Sequence, residues 1–440
     1  MPRHSRFSSN VPSNSRSTPR DDASKTTPAL PRRRMLGGLA LSAFVAPGVK
    51  AATLLRPLGV DAWSQTPGAP ILEHPYGLPS PHEANVIRRA ARAWPMPGAA
   101  SSLTPLADLH GSITPNGLVY ERHHAGVPDI DPDAHRLAIH GLVREPKVFT
   151  IDELLRLPSE SRIHFLECSG NTGSEWKGPS GLPVQITHGL LSCCEWTGVR
   201  LSTLLEATGG LTATADGSQP KWLLAEGADA AAMTRSLPLE RILERALVVY
   251  AQNGERLRLE NGYPLRLIVP GFEGNTNVKW LRRLKVVDAP LQTREETSKY
   301  TGLLPDGRAR QFVFEMDAKS VITRPSAGQR LTVQGFYPIV GLAWTGRGTI
   351  RRVEVSTDGG KTWQDAVLDE PVRDRALTRF QAGWIWNGEP AAILSRATDS
   401  TGYVQPTREA LVQARGLNTN YHYNAIQQWR IGADGSVKNA

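Results

Sequence analysis

An α+β domain followed by a β-sandwich is the fold class that this 440-residue chain predicts, and three observations carry it. Between about residues 111 and 305, short strands and helices mix without a regular βαβ rhythm. From about residue 306 to the end, alternating half-buried strands and turns take over. A chain of this length exceeds one ordinary domain, and no stretch approaches the ~20 apolar residues of a membrane span.

Residues 1–30 are rich in Ser, Pro, Asn and Arg and will not pack. Arg32-Arg33-Arg34-Met35-Leu36 and the short apolar run after it have the pattern of a twin-arginine export leader, with cleavage fitting after Ala51. The plain alternative is a disordered basic tail. Residues 1–51 hold nine Lys/Arg and two Asp/Glu of a chain whose net charge is +9, which leaves the remainder at +2. The high pI therefore belongs to the leader, and nucleic acid is not an expected partner. The leader predicts a periplasmic protein exported folded, a route often taken by proteins with an inserted cofactor.

Residues 52–110 are Pro-rich, with a helical patch over residues 83–94, and read as a segment wrapping the surface of the α+β domain or of a partner. Thr150 has the look of an N-cap for a helix beginning at Ile151. Residues 201–208 form a second helix stopped by Gly209-Gly210, and residues 265–269 a buried strand stopped by Pro270-Gly271. Cys193 and Cys194 read as small buried side chains in a packed helical or loop segment. In the sandwich, residues 331–336, 350–356 and 393–398 read as strands. Asp358-Gly359-Gly360 is a hairpin turn, and residues 378–387 span a second hairpin.

Three cysteines make no disulfide framework, and adjacent ones rarely bridge. Cys168 stands apart, after the segment His164-Phe165-Leu166-Glu167 with its short apolar run and before the turn Ser169-Gly170-Asn171. A thiolate there can attack a substrate, resolve a disulfide or ligate a soft metal, and a buried structural thiol is the bland alternative. No Cys-x-x-Cys-His occurs, so no covalent haem is expected in this chain.

Cys168-Ser169-Gly170-Asn171 resembles the cysteine loop of the sulfite oxidase family of molybdenum enzymes. The likeness continues through Arg122-His123-His124, Asn261-Gly262-Tyr263-Pro264-Leu265-Arg266, Asn277-Val278-Lys279-Trp280, Tyr300 and Arg415. It covers roughly residues 110–430, and its details look most like the molybdenum subunit of periplasmic sulfane dehydrogenases. The resemblance implies a sulfite-oxidase-type molybdopterin domain over residues 111–305 and an immunoglobulin-like dimerisation domain over 306–440. It implies that Cys168 ligates the molybdenum of a Mo-molybdopterin, one metal per chain. Asn261, Arg266, Asn277, Val278 and Lys279 match cofactor-contact positions, and Asp229 matches a further one through a gapped stretch.

Arg266 lies inside an apolar strand, where a lone cation is costly and a phosphate is well suited to its guanidinium fork. By the resemblance, Arg122 binds an anionic substrate oxygen and His124 contacts the pterin; the additional His123, by its imidazole chemistry, is expected to carry protons. Tyr300, twenty-one residues after Lys279, matches an active-site tyrosine, and Arg415 a sandwich-domain arginine reaching the substrate pocket. Where sulfite-oxidising relatives place two arginines, this chain has Thr172-Gly173. That departure predicts a rim without small-anion cations and with space for a larger entrant.

The function these expectations point to is oxidation of the sulfane sulfur on a carrier-protein cysteine, with electrons passing to a c-type cytochrome subunit. The expected assembly is a homodimer through the C-terminal domain within a heterotetramer. A direct sulfite dehydrogenase is the alternative enzyme. An exported Ig-like binding or scaffold protein without cofactor is the alternative of another class.

Overall fold

The computed structural model describes residues 65, 67, 76–93 and 98–440. The leader expected over residues 1–51, and most of the segment before residue 76, lie outside them. Residues from Leu78 onward make one unit, and no helix among the described residues is long and apolar enough to cross a membrane.

The helix expected over residues 83–94 is replaced by a single 3-10 turn, Pro81–Glu83, and the strand Arg89–Ala93. Its Arg-Ala-rich sequence suits a helix, but pairing with Ala100–Leu103 overrides that local preference. The third strand of this small sheet, Glu121–His123, carries Arg122 and His123. The expected N-cap at Thr150 is present. Its hydroxyl accepts from the Glu153 N–H at 3.1 Å and the Glu153 carboxylate accepts from the Thr150 N–H at 2.8 Å. Such a reciprocal cap is worth about 1 kcal/mol to the short helix Ile151–Leu155. Leu201–Glu206 is helical and stops before Gly209 and Gly210, both at positive φ.

Two sheets form the first half, the first antiparallel throughout and the second mixed through the parallel pairing of Leu281–Val287 with Leu137–Gly141. One orders Glu255–Arg256, Leu247–Gln252, Leu191–Arg200 and Ser159–Glu167, with Arg266–Ile268 also paired to Leu247–Gln252. The other orders Lys147–Phe149, Leu137–Gly141, Leu281–Val287, Trp222–Gly227 and Thr234–Pro238. Cys193 and Cys194 are not in a helix or loop. They sit mid-strand in Leu191–Arg200, opposite Phe165 and His164. The alternating pleat sends their side chains into two different cores. Burial pushes the Cys193 thiol up to about 12 and Cys194 higher still, so both are inert spacers.

The second half is the expected sandwich. Lys319–Arg324, Gly335–Trp344, Thr378–Trp386 and Val367–Leu368 form one sheet. Gln364–Asp365, Ile350–Ser356, Ala391–Asp399, Gln428–Ile431 and Val437–Asn439 form the other. The strand expected over residues 331–336 begins only at Gly335, because the Leu331 N–H is taken by the Gly435 carbonyl at 2.8 Å. The hairpin expected over residues 378–387 is one continuous strand along Gly335–Trp344, and the chain then crosses to the opposite sheet. Trp344, Phe380 and Trp429 centre the sandwich core, and Phe165, Val184, Leu191 and Cys193 of the first half are buried in it too.

His164, buried on Ser159–Glu167, has its imidazole held down to about 4, chiefly by loss of solvent. A depressed folded-state pKa means that the unfolded chain binds the proton first. Stability is therefore expected to fall as pH drops from 6.5 towards about 4, by on the order of 3 kcal/mol from this residue. Urea titrations across that window should show a flatter slope in His164→Phe. An unchanged slope would assign the effect elsewhere.

Candidate functional site

Cys168 sits directly after the end of Ser159–Glu167, and its N–H donates to the Leu190 carbonyl at 3.0 Å. The Asn171 N–H closes the turn on the Cys168 carbonyl at 2.8 Å. Burial raises the thiol pKa, with Glu273 and Glu167 adding to it while the Gly170 N–H and Arg122 oppose. Such a thiol stays protonated unless something as demanding as a soft metal displaces the proton.

A cavity opens beside it. Arg122, His123, His124, Cys168, Asp229, Asn261, Arg266, Asn277, Val278, Lys279 and Tyr300 all line it. Arg415 does not. Its guanidinium donates to Asp317 and, at 2.7 Å, to the His422 carbonyl, so the helix end that carries it is committed to a structural ion pair.

Arg266 and Lys279 face each other across an isolated bridge, and Gly262 makes their approach feasible. A β-carbon on Gly262, at φ +113°, would lie 3.1 Å from the β-carbons of both. The Arg266 guanidinium is 4% exposed and donates to the carbonyls of Asn261 at 2.9 Å and Asn277 at 3.2 Å. It forms no ion pair among the described residues, and burial lowers its pKa to about 10. The Lys279 ammonium donates to His123 Nδ1 at 2.7 Å and to the Glu260 carbonyl at 3.1 Å, with burial depressing its pKa strongly. Two adjacent buried cations with no bound carboxylate call for an anion, and a phosphate with its several acceptor oxygens fits them.

His123 is the neutral link between Lys279 and Glu121, which its Nε2 meets at 3.2 Å. That makes it a structural spacer in place of the expected free proton carrier. His124 Nε2 and the Tyr300 phenol lie 3.1 Å apart. Burial, with Arg122 adding, drives His124 down to about 3, and burial drives Tyr300 well up, so both are neutral at pH 7. Tyr300 holds φ +53°, unusual for a bulky residue, with Arg235 5.3 Å from its ring centroid. Asp229 is buried, and its carboxylate accepts from the Met233 N–H at 3.4 Å. The Asn277 amide is spent inside its own loop, accepting from the Val269 N–H at 2.7 Å and donating to the Glu273 carbonyl at 3.0 Å. Its backbone is engaged as well, the N–H donating to the Gly274 carbonyl at 3.1 Å and the carbonyl accepting from Arg266.

The rim is not the opening that Thr172-Gly173 suggested. Thr172 is buried, and its hydroxyl accepts from Lys319 at 2.7 Å. A β-carbon on Gly173 would stand 2.6 Å from the Asn420 carbonyl oxygen. The room that glycine leaves is filled by the second domain's backbone. Two cations are absent there, but no space is gained.

Sequence reading missed the residues that this second domain contributes. The His422 N–H donates to the Ser169 carbonyl at 2.8 Å, and His422 Nε2 meets Glu273 at 3.0 Å. Glu273 in turn pairs with buried Arg235 at 3.1 Å. The Tyr421 ring lies 5.3 Å from that of Tyr300. No local spacing announces these partners, which meet only through the tertiary fold.

Comparison with known proteins agrees with this geometry. Residues 124–295 match the profile of the oxidoreductase molybdopterin binding domain, and residues 310–429 that of the Mo-co oxidoreductase dimerisation domain. The chain is similar to mitochondrial sulfite oxidase of Macaca fascicularis, 32% identical over 70% of this chain and 60% of that one. It thus spans about 60% of the length of that relative and of its human counterpart, which is 31% identical. Sulfite oxidase of Gallus gallus is 30% identical, with 81% of each chain covered. Among solved structures, the sulfane dehydrogenase SoxCD of Paracoccus pantotrophus superposes with a TM-score of 0.83. Its identity is 45%, and the match covers 87% of this chain and 97% of that one.

Proposed function

The chain belongs to the sulfite oxidase family of molybdopterin oxidoreductases, and from that premise we propose a periplasmic sulfur dehydrogenase. Its substrate in this reading is the sulfane sulfur on a cysteine of a carrier protein, oxidised to the sulfonate level with water as oxygen source. The observation that carries the reading is the buried pair Arg266 and Lys279, without a carboxylate, on the cavity that Cys168 enters. Cys168 would hold the metal, Arg266 and Lys279 the pterin phosphate. Asn261, Asn277, Val278, Asp229 and His124 would border the pterin. A bound Mo-molybdopterin, one metal per chain, would supply the redox chemistry in two-electron steps, three of which are needed to take a sulfane sulfur to the sulfonate level with three oxygens from water.

The remaining roles belong to side chains. Arg122 orients an anionic substrate oxygen. Tyr300, kept protonated by burial, holds a proton at its phenol oxygen with His124 as neutral partner. Support for the sulfane substrate comes from the similarity to a sulfane dehydrogenase. Electrons would leave to a c-type cytochrome subunit. Two copies would meet through the C-terminal domain, where Phe336 and Ile385 stand opposite each other and exposed, within a heterotetramer. The leader would direct folded export.

Free sulfite as substrate is the second reading, favoured by the sulfite oxidases at 30–32% identity. Metal analysis and two assays on one preparation decide. We expect about one molybdenum per chain and a higher kcat/KM for carrier-bound sulfane. A higher value for sulfite selects the second reading, and a metal-free, inactive protein selects the exported scaffold.

A further inference from the structure

The turn that presents Cys168 is tied at both ends to one ammonium group from the other domain. Glu167, immediately before the cysteine, is fully buried, and its Oε1 accepts from Lys319 Nζ at 3.0 Å and from Asn171 Nδ2 at 2.9 Å. Its Oε2 accepts from Trp344 Nε1 at 2.6 Å. The same Lys319 Nζ donates to Thr172 Oγ1 at 2.7 Å, at the far end of the turn. Asn171 Oδ1 accepts from the Leu190 N–H at 3.1 Å, and the Leu190 carbonyl is the acceptor for the Cys168 N–H. Glu167, Asn171 and Thr172 are therefore fixed around the cysteine by a chain of bonds that begins on the sandwich strand Lys319–Arg324.

Stability alone is a poor reason for this arrangement, since a buried ion pair can often be replaced by apolar residues without loss. The backbone suggests a better one. Thr172 sits at φ +63°, a left-handed conformation that a β-branched residue resists. Such a residue stays there only when its surroundings over-determine it. Lys319 supplies that constraint through the hydroxyl while anchoring Glu167 at the opposite end.

We propose that Lys319 is a positioning residue for the Cys168 thiol, setting its aim by clamping Glu167 and Thr172 across the domain junction. This rests on the reading of Cys168 as the metal ligand. The clamp acts through Glu167 and Thr172 alone and touches no substrate, so the sandwich domain is part of the metal site's construction.

The test uses the full chain, loaded and cofactor-free. Lys319→Met strands a buried carboxylate and can fail to fold, so the deciding variants are Lys319→Met with Glu167→Gln, and Thr172→Val. Both keep the volume; the glutamine still accepts from Trp344 but turns its amide nitrogen towards that of Asn171, so the double variant is read against Glu167→Gln alone. With melting temperature near that of the parent, the double variant should lose roughly 10- to 100-fold in kcat or molybdenum retention, as other groups that orient metal ligands do. Thr172→Val should lose less. The molybdenum–thiolate distance from X-ray absorption should spread. In cofactor-free protein the rate of Cys168 alkylation by iodoacetamide, followed on its peptide, should rise.

Parental alkylation rate, metal–sulfur signature and turnover in a folded double variant would overturn the proposal. If the parent carries no molybdenum, or Cys168→Ser keeps its metal and activity, the ligand reading fails instead. The alkylation arm then still decides whether Lys319 aims the thiol.

Discussion

Cys168→Ser is expected to fold as the parent does and to turn over at background. The residue is a small half-buried side chain whose local bonds, to Leu190 and Asn171, are made by its backbone. Serine keeps those bonds and the volume. What it cannot keep is the soft ligand: serine's oxygen is a hard donor and its alcohol a far weaker acid than a thiol, so the metal would not displace its proton. Molybdenum content and steady-state turnover measured together, with circular dichroism for the fold, check the result. A serine variant with most of the parent's activity would remove the metal-ligand assignment.

Arg266→Met separates two effects of opposite sign. In cofactor-free protein the buried guanidinium has two carbonyl acceptors and the Trp196 ring beneath it, but no counter-charge among the described residues. Replacing it with an apolar chain of similar length should leave the empty protein equally or more stable. In loaded protein the same change removes a charge-assisted contact to the phosphate, and breaking such a buried pair costs roughly 3–5 kcal/mol. Cofactor retention is therefore expected to fall by at least about a hundredfold while the cofactor-free melting temperature holds or rises. A variant that loses stability in the empty state and retains cofactor would show that Arg266 serves the strand and not a ligand.

What is legible in the sequence is local. Cys168 and its turn, the strand holding Arg266 and the motif holding Lys279 each announce themselves within a few residues, and the fold brings them to one cavity. The capped helix after Thr150 is readable for the same reason, since cap and acceptor are three residues apart. Lys319, Tyr421 and His422 are not readable, because their partners lie about 100 residues or more away in the chain. The rim shows how a local reading goes wrong. Thr172-Gly173 reads as space because two cations are absent, yet only the fold shows Asn420 occupying that space. Arg415 fails in the same way, its charge being answered by Asp317.

The single core that joins the two halves limits how this architecture can be recombined. Phe165, Val184, Leu191 and Cys193 are buried among Trp344, Phe380 and Trp429 of the sandwich. A chimaera joined near residue 305 would need a donor sandwich shaped to those four side chains. Otherwise it would leave an apolar face in water and a cysteine turn without its anchor. The inheritable module in this chain is consequently the pair, and substitutions on either side of the seam have to be tolerated by the other.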